Sequence, residues 1–327
     1  MDMRQLRYFV NIVECGSLSK ASRRLFVAQP SLSQQMARLE DEVGKPLLVR
    51  STRGVVPTDN GEALYHHAKF MLRQLDEAVF IARQDYSNVR GRVALGLAPT
   101  TVAVLGLPLM QHLRAKHPGF VLSVVALHSG YLEEMARAGQ LDLAIMFSHN
   151  AAAEMVFEPL LDEELFVLIP DDSTLVARGK TSLTLSECAQ LPLVLPRPAH
   201  GLRRRVDVEF ERAQIVVREP VAEIDSLLLV MQYVALGGGA TIQPLSAMRV
   251  LDPPERWRRV PIADARVVRT NYLYSLPLPK LSTSASIVRA ELKHVARQLV
   301  ASGTWQGVSL ASAASPTLPA GAARDDL

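Results

Sequence analysis

The sequence predicts an α/β protein in three parts: a small helical unit with a β-hairpin, a long connecting helix, and a C-terminal domain of two strand–helix lobes. Three observations predict it. Apolar residues recur at helical spacing from Leu6 to Val43. The stripe Leu64, Ala68, Met71, Leu75, Ala78 and Ala82 then keeps spacings of four and three, as a heptad seam does. From Gly91 onward, short runs rich in Val, Leu and Ile alternate with helical stretches.

Bulk properties bound the reading. A chain of 327 residues is long for one core and suggests two or three domains. At 48% apolar and 21% charged it has an ordinary globular composition. No apolar run reaches the ~18 residues that span a bilayer, and Met1 to Gln5 open no signal-peptide core. Cys15 and Cys188 are far apart and form no metal or redox motif, which fits a reducing cytoplasm. The formal net charge is +3. Residues 1–58 hold nine Lys/Arg against five Asp/Glu, and the remainder holds 27 against 28. The basic excess therefore sits at the N-terminus, where a phosphate-binding module would need it.

Within residues 1–58, Asp2 and Gln5 are spaced as a capping box. Leu6, Phe9, Val10 and Val13 line one face of a first helix, which Gly16 ends and Ser17 follows as the next cap. The second helix is short, Leu18 to about Phe26. After a turn at Val27-Ala28, Pro30 takes a first-turn position, where a missing N–H is no loss. The third helix then runs to Gly44, with Leu32, Met36, Leu39 and Val43 facing a core. So short a turn forces a steep crossing, the geometry of a helix-turn-helix. Its outer face carries Ser31, Ser33, Gln34, Ala37 and Arg38, groups that can approach base edges and phosphates, although a solvated face would look the same. Residues 46–50 and 55–57 read as a hairpin wing with Arg50 and Arg53 near its tip.

The coincidence of Phe9-Val10, Gly16-Ser17-Leu18, the run from Ala28 to Ser33, Leu39-Glu40, the run from Pro46 to Arg50, Pro57-Thr58 and Gly61 resembles the N-terminal signature of LysR-type transcriptional regulators. The similarity extends through the linker and C-terminal domain. It implies a winged helix-turn-helix in which Gln29, Pro30, Ser33 and Gln34 contact bases. Ser31, Arg38, Arg50 and Thr52 would hold the backbone, and Arg53 would enter the minor groove. It also implies a cytoplasmic protein with no cofactor. Its partners would be promoter DNA, a small-molecule effector, further copies of itself as dimer or tetramer, and RNA polymerase.

Residues 59–90 read as a linker helix of about 29 residues, roughly 43 Å long, opened by Asp59 and Glu62 as a second capping pair. One apolar stripe on so long a helix needs a mate, either a second chain or its own domain. His66 and His67 are adjacent, so they diverge by about 100° and are not a metal pair.

Residues 91–302 contain two β-α-β-α-β halves. In the first, strands at 92–98, 120–125 and 142–147 alternate with helices through Leu105 to Leu113 and from Gly130 to Ala138. In the second, strands at 193–195, 215–217 and 240–243 alternate with helices from Leu202 to Ala213 and Ser226 to Leu236. Crossing strands at 165–169 and 267–276 and a last helix, Ser284 to Val300, divide the domain into lobe I (about 91–161 and 268–302) and lobe II (about 162–267). Two lobes with two crossings resemble a periplasmic-binding-protein-like clamshell, with ligand expected beyond the strand ends beside helix N-termini. Thr100, Thr101 and Ser129 offer hydroxyls, His200 and Arg203 charge, Phe147 and Ile224 an apolar wall. This set suits a small anionic metabolite; helix capping alone would also account for several of them. Asp225 would repel an anion unless it lies off the ligand. The tail, 303–327, is expected to be mobile.

No phosphate-binding loop, nucleophile elbow, H-E-x-x-H or paired-cysteine site occurs. Gly237-Gly238-Gly239 ends a helix instead of starting one. The leading expectation is a sequence-specific DNA-binding regulator modulated by a metabolite. The alternatives are a regulator of the same fold acting without an effector, and an enzyme using the two-lobed cleft.

Overall fold

The computed structural model describes residues 1–51, 54–82, 91–147, 155–251 and 256–311. Helix α1 (Met3–Cys15) starts with the expected box: the Asp2 carboxylate accepts from Gln5 N at 2.7 Å, and Gln5 Oε1 accepts from Asp2 N at 2.9 Å. Helices α2 (Leu18–Leu25) and α3 (Gln29–Val43) follow. Phe9, Ile12, Ala21, Leu32, Met36, Leu39 and Leu47 close a core at no more than 1% exposure. The wing is an antiparallel pair, β1 (Leu48–Ser51) with β2 (Gly54–Pro57).

Helix α4 (Asp59–Ala82) is capped by Thr58, not by the expected Asp59–Glu62 pair. The Thr58 hydroxyl accepts from Gly61 N at 3.0 Å and donates to Pro46 O at 2.8 Å, so one side chain both starts the helix and ties it to the wing. A Cβ on Gly61 would sit 2.0 Å from Leu47 O, and only glycine permits this approach. The first half of the apolar stripe is already used within the chain. Ala68 is fully buried against Leu6 and Val10 of α1, with Leu64 and Met71 beside it. The side chains of Ala78 and Ala82 lie outside the described residues.

Lobe I opens with β3 (Gly91–Leu97) and α5 (Pro99–Thr101), continuing through a π-helical turn, Val102–Gly106, into α6 (Leu107–Lys116). Pro108 explains the widened turn, because it lacks an N–H and its ring would clash with the carbonyl of Val104. Then come β4 (Phe120–Ala126), α7 (Ser129–Arg137) and β5 (Leu143–Met146). Strand β6 (Val156–Pro170) is far longer than the expected crossing and belongs to both lobes. Lobe II contains α8 (Leu185–Cys188), β7 (Val194–Leu195), α9 (Gly201–Arg212), β8 (Ala222–Glu223), α10 (Leu227–Ala235), β9 (Thr241–Pro244) and β10 (Trp257–Val260). The chain returns through β11 (Val268–Ser275) to α11 (Thr283–Ala301) and β12 (Val308–Leu310).

Strands β4, β3 and β5 are parallel, β11 pairs antiparallel with β5, and β6 pairs antiparallel with β11. The second half of β6 pairs with β9 and β10. One unbroken strand thus joins two sheets. Two expectations fail here. Residues 215–217 form no strand: Ile215 and Val217 pack inward and Val216 is 88% exposed, but the pairing with β7 is made by Ala222 and Glu223. The alternation reported burial, not a ladder. The tail also begins later than 303. Trp305 is 2% exposed in the lobe I core, and β12 pairs with β6. Residues 312–327 lie outside the described set. Among the described residues no helix is long and apolar enough to cross a membrane.

Candidate nucleic-acid interface and interlobe cleft

The start of α3 is open. Its N-cap is Ala28, which has no side-chain acceptor, so the first N–H groups are uncapped by it. Gln29, Pro30, Ser31, Gln34 and Arg38 are exposed, and Ser33 is half-buried. Arg50 is not simply a free phosphate contact. Its guanidinium donates to Ser33 Oγ at 2.9 Å and lies 3.8 Å from Glu40, whose Oε1 accepts from the Leu47 and Leu48 N–H groups at 2.8 and 3.0 Å. These contacts fix the wing to the helix. Thr52 and Arg53 lie outside the described residues.

A cavity of about 970 Å³ separates the lobes. On its floor β11 and β6 set Arg269 directly opposite Glu163. The guanidinium donates to Glu163 Oε2 at 2.7 and 3.0 Å and to Thr100 Oγ1 at 2.8 Å, and it lies over the Phe147 ring at 3.7 Å from its centroid. Glu163 Oε1 accepts from Ser246 Oγ at 2.8 Å and from Trp305 Nε1 at 3.4 Å. Burial lowers the Arg269 pKa against the support of Glu163. One ion pair therefore gathers both lobes, both crossing strands and the C-terminal segment.

At the rim, His128 precedes α7 in lobe I and His200 caps α9 in lobe II. His200 Nδ1 accepts from Leu202 N at 3.1 Å, so Nε2 carries the ring proton and donates to His128 Nδ1 at 2.9 Å. Burial first, then His128, pushes the His200 pKa down to about 4, so the ring is neutral at pH 7. The lobes are thus hydrogen-bonded directly to each other.

Thr100, Ser129, Phe147, His200 and Ile224 line the cavity; Thr101 and Arg203 do not. Thr101 is 1% exposed. Arg203 turns to Asp207 at 2.8 Å, Pro196 O at 3.2 Å and Glu223 at 3.2 Å, and its neighbours Arg204 and Arg205 face the cleft instead. A helix rotates about 100° per residue, so only part of an arginine run can face one side. Asp225 is bonded to Arg197 Nε at 2.6 Å, which removes the repulsion expected of it. The lining contains six arginines against four acids; Arg197, Arg205, Arg212 and Arg269 are ion-paired, with Asp225, Glu209 and Glu163, and Glu133 is paired with Arg137. The lining carries a formal excess of positive charge. Sequence reading missed Arg269 and Glu163, whose only signal is a charge inside an otherwise strand-like run.

A winged helix-turn-helix joined to a two-lobed domain with a cleft between its lobes defines a DNA-binding regulator with a sensing domain. Residues 3–62 match the model for bacterial regulatory helix-turn-helix proteins of the lysR family, and residues 87–297 match the LysR substrate binding domain. The chain belongs to the LysR family of transcriptional regulators. It is similar to the nitrogen assimilation regulatory protein nac of Klebsiella aerogenes, with 38% identity over 252 residues, 77% of this chain and 81% of that protein. Among solved structures, a full-length cysteine variant of OxyR from Pseudomonas aeruginosa shares the fold at TM-score 0.71 and 24% identity, covering 91% of this chain and 95% of that one. Full-length CbnR in complex with its target DNA does so at TM-score 0.64 and 21% identity, covering 91% and 99%.

Proposed function

We propose that this regulator acts in the cytoplasm as a homodimer or homotetramer on promoter DNA. The N-terminus of α3 enters the major groove, the wing flanks it, and RNA polymerase is the partner downstream. Gln29, Pro30, Ser33 and Gln34 read bases; Ser31, Arg38, Arg50 and Thr52 hold phosphates; Arg53 lies in the minor groove. A small organic anion binds between the lobes, against Thr100, Ser129, Phe147, His200 and Ile224. The observation that carries the anion is the formal excess of arginine over acid in the lining, six to four. Self-association is supported by apolar side chains left at the surface, among them Leu107, Met110 and Val121 of lobe I and Leu228, Leu229 and Leu236 of lobe II.

Two measurements test this. Gln29→Ala or Ser33→Ala should lose ~1–3 kcal/mol at particular base positions, whereas a uniform loss on all sequences rejects base readout. A screen of small carboxylates should raise the melting temperature of the full chain, and His200→Ala or Phe147→Ala should abolish the shift. A second reading, regulation without a small effector, is favoured by the His128–His200 bond, which holds the lobes together by protein contact alone. No thermal shift across the screen selects that reading.

A further inference from the structure

Phe26 stands at the turn between α2 and α3 and is 96% exposed, more than any other large apolar side chain among the described residues. It is also in the left-handed region, φ 55° and ψ 39°, a conformation that a bulky residue rarely adopts and that glycine occupies freely. Hydrogen bonds fix the backbone there. Phe26 N–H donates to the Arg23 and Ser22 carbonyls, and Val27 N donates to Ser22 O at 3.0 Å, the close of a helix that normally carries glycine at this place. An aromatic ring is thus held in strain and in water, where neither packing nor backbone preference supports it. Such a residue points to a partner.

The surroundings say which partner. Gln29 follows Phe26 by three residue steps, at most about 11 Å of chain, so the ring stands beside the uncapped start of α3. The unit around it carries the basic excess of the protein, with Lys20, Arg23 and Arg24 exposed on the preceding helix. A protein partner's apolar patch would not call for that charge; a nucleic acid would. In the major groove the apolar group presented on the base edges is the C5-methyl of thymine.

We propose that Phe26 is a specificity-determining residue that covers a thymine methyl group in the major groove, next to the bases met by the start of α3. This rests on α3 entering the groove. The strained, exposed ring is then completed by the operator.

The test uses the full chain and a duplex selected from a randomised library. Each thymine is replaced singly by deoxyuridine, which removes only the methyl group. The wild-type protein should lose about fourfold in affinity at one position, the value of one buried methyl-sized group. Phe26→Gly should bind the thymine duplex about fourfold more weakly and be indifferent to deoxyuridine at that position. Because glycine suits the left-handed turn, the same variant should melt at a higher temperature than wild type. Phe26→Asn, which also tolerates that backbone, should behave likewise. Three outcomes overturn the proposal: Phe26→Gly keeps wild-type affinity, it keeps the deoxyuridine penalty, or it keeps DNA affinity while losing only transcriptional output, which would assign the ring to a protein. Ser33→Ala on the same duplex is the control. If it too leaves affinity and sequence preference unchanged, the groove docking of α3 has failed instead of the role of Phe26.

Discussion

At the scale of residues, the Arg269–Glu163 pair decides most. Two buried charges are costly unless their hydrogen bonds are met, and here every contact comes from a different part of the chain. Glu163→Ala leaves a buried arginine uncompensated and should cost about 3–5 kcal/mol, seen as a melting-temperature fall of roughly 10 °C or more. An unchanged melting temperature would show that the pair is dispensable. His200 makes a different prediction. Its folded pKa, about 4, lies below the ordinary 6.5, so the unfolded ring takes up a proton that the folded ring refuses. Folded stability attributable to this group is full above pH 6.5, falls as pH drops towards 4, and levels off below. His128, Asp225, Arg269 and Arg204 share its field. Melting curves of wild type and His200→Asn should converge across that window; parallel curves would remove His200 from the account. Neither site was fully legible beforehand. The hydroxyls and His200 were, because they follow strands and precede helices. Arg269 was not, because its partner lies 106 residues away and no local motif marks either one.

At the scale of elements, sequence pattern identified what local physics controls and missed what pairing controls. The capping box at Asp2, the helix-turn-helix and most strands of the two lobes follow from short-range spacing. The placement of Ala68 against α1, the role of β8 and the burial of Trp305 depend on distant segments, and alternation alone could not reveal them. One element joins the two functional units. Helix α7 begins beside His128 at the cleft and is followed by the turn Gly139–Gln140, where Gln140 Nε2 lies 2.9 Å from His66 Nδ1 of the linker helix. Gly139 has φ 62°, and a Cβ there would be 2.8 Å from Phe70 Cβ. Gly139→Ala should therefore push α4 off this turn and make the linker more sensitive to protease. Equal proteolysis of both proteins would count against a working contact. Trp305→Ala should destabilise lobe I by about 3–5 kcal/mol.

At the scale of the whole molecule, three units, each with its own apolar clusters, are strung on a few shared segments. Self-association is tested at this scale. Val121 sits on β4, the strand at the end of the sheet order, and Met110 on the neighbouring α6; both are half exposed. Met110→Glu and Val121→Glu should lower the mass measured by light scattering, and an unchanged mass would remove this face from the assembly. The position of β12 has a further consequence, in time. Lobe I is built from residues on both sides of lobe II, and its last strand pairs with Leu161 through Leu310. About 150 residues lie between them, roughly 7–30 s of synthesis at ordinary rates. The winged unit, whose core closes within residues 9–65, has all its residues long before that. On the ribosome the DNA-reading part is therefore finished first, and the part that governs it becomes complete only when the far end of the chain arrives.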